Sequence, residues 1–140
     1  MKDTIITLYV NTKRIIKIPE NPSPDEVLEW ILIGDNHNDP PKKEKFVSNI
    51  RERSKLAWVG AAMHILESEQ DFVLITKIAV KKKKSLIKIY DSRKSSGKTH
   101  KDGYVSKAKH GAEEEYRIHF SVNSGGVERK FKIDPKIRVI

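Results

Sequence analysis

The sequence predicts an α+β fold, a mainly antiparallel sheet packed on one long helix and one short helix, and three observations predict it. Residues 42–69 contain no proline and carry an apolar series at Phe46, Val47, Ile50, Leu56, Ala57, Val59, Ala61, Ile65 and Leu66, which reads as the long helix. Ser23, Pro24 and Glu26 form a Ser-x-x-Glu start ahead of Val27, Leu28, Trp30, Ile31 and Leu32, which reads as the short one. From Asp71 onward the apolar period approaches two, as strands require.

In chain order, Ile5, Ile6, Leu8 and Val10 alternate loosely, and residues 14–18 repeat the pattern after Asn11, Thr12 and Lys13, so an N-terminal hairpin is expected. Pro19, Pro22 and Pro24 then remove ladder donors and close it. The short helix follows and stops at Gly34; residues 34–41 form a polar loop. Within the long helix, Arg51, Glu52, Arg53 and Lys55 face outward. Residues 56–66 are apolar nearly all round and are expected at the centre of the core.

Strands are expected over residues 72–80, 85–90, 115–122, 127–133 and 137–140. The clearest pair sets Tyr116, Ile118, Phe120 and Val122 against Val127, Phe131 and Ile133 across Asn123-Ser124-Gly125-Gly126, whose glycines supply the positive φ of a tight hairpin. Residues 91–111 read as a basic mobile loop with a small apolar island at Tyr104 and Val105, inside a single domain spanning 1–140.

Composition narrows the function. With 37% hydrophobic and 34% charged residues, the chain is too apolar for a disordered tail and too polar for a membrane span. The longest stretch without a charged residue is 56–66, short of the roughly 18 to 20 apolar residues of a spanning helix. No cysteine is present, no Asn-x-Ser/Thr acceptor occurs, and Lys2 and Asp3 lead straight into a strand, so an intracellular setting is expected.

The charge is local. Residues 81–109 hold eleven basic side chains against Asp91 and Asp102, which equals the whole net charge of +9. Such asymmetry points to an anionic partner, membrane surface or nucleic acid, bound collectively by Lys81, Lys82, Lys83, Lys84, Lys94, Lys98, Lys101, Lys107 and Lys109. Only Tyr90 and Tyr104 are aromatic in this block, few for a base-stacking platform, and no helix-turn-helix or ribonucleoprotein motif is visible.

Three chemical constellations stand against this background. Residues 92–99 end in Gly97-Lys98-Thr99 after a strand-like run, but Ser92 stands where a phosphate loop needs glycine, and no helix is expected from Lys98. His100, Asp102 and His110, or His37 and Asp39, lack the spacing of a metal site, so neither metal nor cofactor is expected. Arg117, His119 and Ser121 share one strand face, with Lys130 and Lys132 expected opposite. That set fits a small basic RNase in which histidine moves a proton and the cations hold the phosphorane-like transition state.

The order of elements resembles the matrix proteins of negative-strand RNA viruses, especially rhabdoviruses. The likeness runs over residues 5–139, with echoes at 25–33, at 42–66, at Tyr90-Asp91-Ser92-Arg93 and at the 116–122 strand. The resemblance implies a noncatalytic, self-associating protein that joins an anionic membrane to ribonucleoprotein, placed in the host cytoplasm, at the inner membrane face or in the virion. The chain departs from that family in lacking a Pro-Pro-x-Tyr motif, since Asp39-Pro40-Pro41-Lys42 has no tyrosine. The expectation is therefore a viral matrix-type homo-oligomer without catalysis. A small RNase using Arg117, His119, Ser121 and Lys130, or a nonspecific nucleic-acid-binding protein, is the alternative.

Overall fold

The structure is a computed structural model that describes residues 4–36, 46–63, 70–90 and 100–140. Among the described residues, ten strands and two short helices follow in order: β1 (Thr4–Val10), α1 (Thr12–Ile15), α2 (Pro24–Leu28), β2 (Ile31–Asp35), β3 (Val47–Ile50), β4 (Lys55–Ala62), β5 (Phe72–Val80), β6 (Ile87–Ile89), β7 (His100–Val105), β8 (Glu113–Ser124), β9 (Val127–Ile133) and β10 (Lys136–Val139). Sheet one runs β2-β1-β4-β7-β6. Sheet two runs β3-β10-β8-β5, with β9 also paired to β8. The sheets pack face to face around a single apolar cluster.

This corrects the expected α+β class. No long helix exists among the described residues, of which 58% lie in strands and 8% in helices. Residues 47–50 and 55–62, inside the expected long helix, are β3 and β4. Their helix-like pattern arises because β4 is apolar on both faces: Leu56 and Trp58 are buried inward, while Ala57, Val59 and Ala61 lie half-buried on the outer face. Periodicity alone cannot separate such a strand from a buried helix. Between the two strands, Arg53 takes a positive φ of 64° in the turn.

The short helix begins as its sequence dictates. Ser23 accepts from the Glu26 amide, and Glu26 accepts from the Ser23 amide in a full capping box with Pro24 inside the first turn. It ends at Leu28 rather than near Gly34, because Ile31–Asp35 pairs with β1 as β2. The expected second arm of an N-terminal hairpin is a helical turn, α1; β1 instead pairs antiparallel with β2 and parallel with β4. β5 and β9 match their expected bounds, and Gly125 and Gly126, at φ 59° and 79°, turn β8 into β9. The hairpin's inner face packs in the shared core, with Trp58 of sheet one against Tyr116 and the short helices α1 and α2 against β8 and β9, in place of the expected long helix. Residues 100–105 of the expected loop are β7, hydrogen-bonded between β4 and β6; residues 91–99 lie outside the described residues.

Two close approaches depend on glycine, one between the sheets and one within sheet one. A Cβ built on Gly60 would stand 2.7 Å from the Val73 carbonyl oxygen, so only glycine lets β4 pass β5 this tightly. One built on Gly103 would meet the Lys88 carbonyl oxygen at 2.5 Å and the Trp58 ring at 3.2 Å, so this glycine makes room for the indole.

Candidate functional site: a basic end and a histidine-centred strip

The crossovers decide where the charge goes. β3 ends beside Val139 and hands over to β4; β5 ends opposite Tyr116 and hands over to β6; β7 ends at Val105 and hands over to β8. All three connections, residues 51–54, 81–86 and 106–112, therefore sit at one end of the sandwich. Backbone bonds tie them together: Arg53 N to Val105 O at 2.7 Å, Ser106 N to Leu86 O at 2.8 Å, and Gly111 N to Val139 O at 2.6 Å.

That end carries Arg51, Arg53, Lys81, Lys82, Lys83, Lys84, Lys107 and Lys109, all exposed. The acids nearby are consumed internally. Glu114, 3% exposed, accepts from Ser85 Oγ and, at 2.9 Å, from the Leu86 amide. Glu52 accepts from the Ala108 amide at 3.0 Å, and Glu113 pairs with Arg138 at 3.3 Å. Glu115 pairs with Lys81, whose ammonium also meets Asp134 at 3.2 Å. The hydrogen bond to Glu115 leads the causes that raise the Lys81 pKa. Among the described residues, Lys82, Lys83, Lys84, Lys107, Lys109, Arg51 and Arg53 have no carboxylate within ion-pair distance.

The expected basic residues thus divide. Lys82, Lys83, Lys84, Lys107 and Lys109 share the end with Lys81, which is paired. Lys101 lies within β7 opposite Trp58 and does not join them. Lys94 and Lys98 lie outside the described residues, as do residues 92–97, His37 and Asp39. Arg51 and Arg53 were placed on a helix flank by the sequence and come to this end only because they form the β3–β4 turn.

A second cluster occupies the outer face of sheet two. The alternation of β8 puts Arg117, His119 and Ser121 on this face, and β9 sets Lys132 opposite His119 and Lys130 opposite Ser121, as the sequence predicts. Lys77 of β5 completes the row from the other side, also in register with His119. It reaches this face through a β-bulge between Ile75 and Lys77, which turns Lys77 outward and Ile78 into the core.

Burial comes first among the causes that lower the His119 pKa, followed by the charges of Lys77, Arg117 and Lys132; Asp134 opposes them. Arg117 is held by Asp134, Nε to Oδ1 at 2.8 Å. Burial pushes the Asp134 carboxyl up, but Arg117 and Lys81 outweigh it and hold the pKa below the usual carboxylate range. Beside His119 and Lys132 opens a cleft of about 1050 Å³ whose other wall is the residue 20–28 segment, with Val27, Leu28, Phe131 and Ile133 as its apolar lining.

The RNase set Arg117, His119, Ser121 and Lys130 shares a face, with Lys132 opposite His119 and Lys130 opposite Ser121. Ser121 is 3% exposed. Cleavage through a ribose hydroxyl needs one group to take a proton and another to give one. Among the described residues, no carboxylate hydrogen-bonds His119. For a metal, no group of three or more His, Asp or Glu side chains converges among the described residues. His100 and Asp102 do approach to 3.5 Å on β7, while His110 lies beyond that strand's far end in the β7–β8 turn. After residues 92–99 the chain continues as strand β7 from His100, not as the helix a phosphate loop requires.

One surface feature was hidden in the sequence. Tyr90 and Tyr104, 37% and 39% exposed, pair with ring centroids 5.9 Å apart on the outer face of sheet one. Lys55 and Lys88 are the strand neighbours of Tyr104 on either side.

No family model and no curated protein matches the chain. Among solved structures it is similar to an inclusion body protein, PixA, from Burkholderia cenocepacia J2315, with a TM-score of 0.64 and 11% sequence identity over 99% of this chain and 95% of that one. At that identity the likeness is one of fold: the two chains share the sandwich described above.

Proposed function

We propose that this chain is a noncatalytic structural protein that docks end-on to an anionic membrane surface through its basic end. The observation that carries the reading is the juxtaposition at that end of five exposed lysines, Lys82, Lys83, Lys84, Lys107 and Lys109, none with a carboxylate partner among the described residues. Turn tips at one end of a sandwich present a layer rather than a groove. A layer of flexible ammonium groups suits a flat bilayer better than a nucleic-acid duplex or strand. Each lysine near an anionic leaflet contributes on the order of 1 kcal/mol, so five give about 5 kcal/mol, enough for reversible binding that salt weakens.

No helix among the described residues is long and apolar enough to cross a membrane, and the proposal is one of surface attachment. It rests on charge geometry and not on the order of elements that resembles viral matrix proteins, because residues 47–50 and 55–62 are strands. Self-association belongs to the same reading. The outer face of sheet one offers Ile5, Tyr9, Val59 and Ala61 for side-to-side contact, and the solved relative's description as an inclusion body protein supports a structural role.

Flotation with vesicles of phosphatidylcholine containing phosphatidylserine tests the docking. The protein should float at low salt, remain behind with neutral vesicles, and lose binding when those five lysines become glutamine. Single-stranded RNA that binds more tightly than the vesicles would replace the membrane with nucleic acid, and light scattering over a concentration series tests association.

A further inference from the structure

We infer that the outer face of sheet two holds a binding site for a phosphate monoester, its phosphate over His119 between Lys77 and Lys132 and its organic part in the adjoining cleft. The three residues lie in direct register across three adjacent strands. Cross-strand neighbours on one face have Cβ atoms roughly 5 Å apart, so both lysine ammoniums can reach an anion seated over the imidazole. Lys77 faces His119 only because of the bulge, and bulges re-aim side chains where a sheet meets a ligand.

Neither lysine has a carboxylate within ion-pair distance among the described residues, whereas Arg117 is engaged by Asp134. Two unneutralised ammoniums flanking a half-buried imidazole leave a positive site that a phosphate dianion matches in charge and in hydrogen-bond acceptors. The cleft beside it is far larger than inorganic phosphate; the half-buried Leu28 lines it, together with Phe131 and Ile133, which are 6% and 5% exposed and belong to the core. That combination selects an ester over the free ion.

The charged groups around His119 are Lys77 from β5, Arg117 from β8, Lys132 from β9 and Asp134 beyond it, with Arg129 and Lys130 of β9 and Glu20 and Asp25 also lining the cleft. Burial and, after it, Lys77, Arg117 and Lys132 lower the imidazole's pKa, while Asp134 opposes them. An anion seated over the ring favours its protonation, so ligand binding and proton uptake are linked. The site lies on the side of the sandwich and stands apart from the basic end, and each can be lost without the other.

The test is an NMR titration of the His119 imidazole, identified by its absence in His119→Gln, at constant ionic strength with phenyl phosphate and with inorganic phosphate. The expected result is that phenyl phosphate raises the His119 midpoint and binds more tightly than inorganic phosphate. Lys77→Gln with Lys132→Gln should weaken it by about tenfold or more. Both substitutions are on exposed positions, and an unchanged thermal melt shows that the variant is folded. Vesicle binding should persist in this variant, and phenyl phosphate binding should persist when the five lysines of the basic end are neutralised. A His119 midpoint that neither probe moves, binding unaffected by the paired substitution, or inorganic phosphate binding at least as tightly as phenyl phosphate would each overturn the proposal.

Discussion

Trp58 Nε1 donates a 3.0 Å hydrogen bond to Tyr116 Oη across the middle of the sandwich, with both residues fully buried and their rings 5.8 Å apart at 59°. Trp58 belongs to β4 of sheet one and Tyr116 to β8 of sheet two, so one bond satisfies both polar atoms of the largest side chains in the core and joins the sheets. Tyr116→Phe leaves the indole N–H buried without an acceptor and should cost roughly 1–3 kcal/mol. Trp58→Phe also loses ring volume and should cost roughly 2–4 kcal/mol. The double variant should cost less than the sum, by about 0.5 kcal/mol or more, in urea unfolding. Strict additivity would show that the bond contributes nothing beyond packing.

The same tyrosine predicts an alkaline limit. Burial pushes the Tyr116 pKa well above its ordinary value, and the bond from Trp58 only partly offsets this. The folded state keeps a proton that the unfolded chain releases near pH 10. Stability from this group is therefore complete below that pH and falls as pH rises further. Tyr116→Phe should flatten this decline in a series of melts from pH 9 to 11.

Asp71 sets an acid limit at the opposite end. Its side chain is 4% exposed and accepts from Thr12 Oγ1 at 2.6 Å and Ser124 Oγ at 2.7 Å, with Lys13 at 3.8 Å. Burial raises its pKa, but the two hydroxyl bonds, Lys13 and the Gly125 amide together hold it below the usual carboxylate range. The stability it supplies is present above about pH 3.9 and disappears as pH falls through the lowered folded value. Asp71→Asn should cost roughly 1–3 kcal/mol at pH 7 and remove part of the acid dependence. Equal slopes for both proteins below pH 4 would assign that dependence to other carboxylates.

Gly103→Ala should be more damaging than an ordinary strand substitution, because its Cβ would lie 2.5 Å from a backbone oxygen, which cannot swing away as a flexible side chain can. The expected cost is roughly 1–3 kcal/mol, with loss of the Trp58 environment visible in indole fluorescence. A neutral effect in urea unfolding would mean that β6 shifts freely against β7.

Where a strand alternates cleanly, its place was legible before any coordinates. The Gly125-Gly126 turn fixed the β8–β9 register and so set Lys132 against His119. Lys77 was not legible as their neighbour, because the bulge breaks the count of two within β5. β4 read as helix because both its faces are apolar, and β7 read as loop because His100, Lys101, Asp102 and Gly103 look like turn residues, although they lie between β4 and β6. The concentration of charge was plain in the sequence. Its gathering of Lys82, Lys83, Lys84, Lys107 and Lys109, without Lys101, depends on which crossovers share an end, and long-range pairing alone decides that.

Because the chain has no cysteine, single labels can be placed without background, and this permits the most direct test of end-on docking. A polarity-sensitive fluorophore is attached at Lys83→Cys in the β5–β6 turn, and in a second protein at Val127→Cys, beyond the β8–β9 turn at the far end. Quenching by lipid-bound spin labels in phosphatidylserine vesicles is then compared. The basic-end geometry predicts strong quenching at position 83, little at position 127, and loss of both signals in high salt. Equal quenching at the two positions, or quenching at 127 alone, would contradict it.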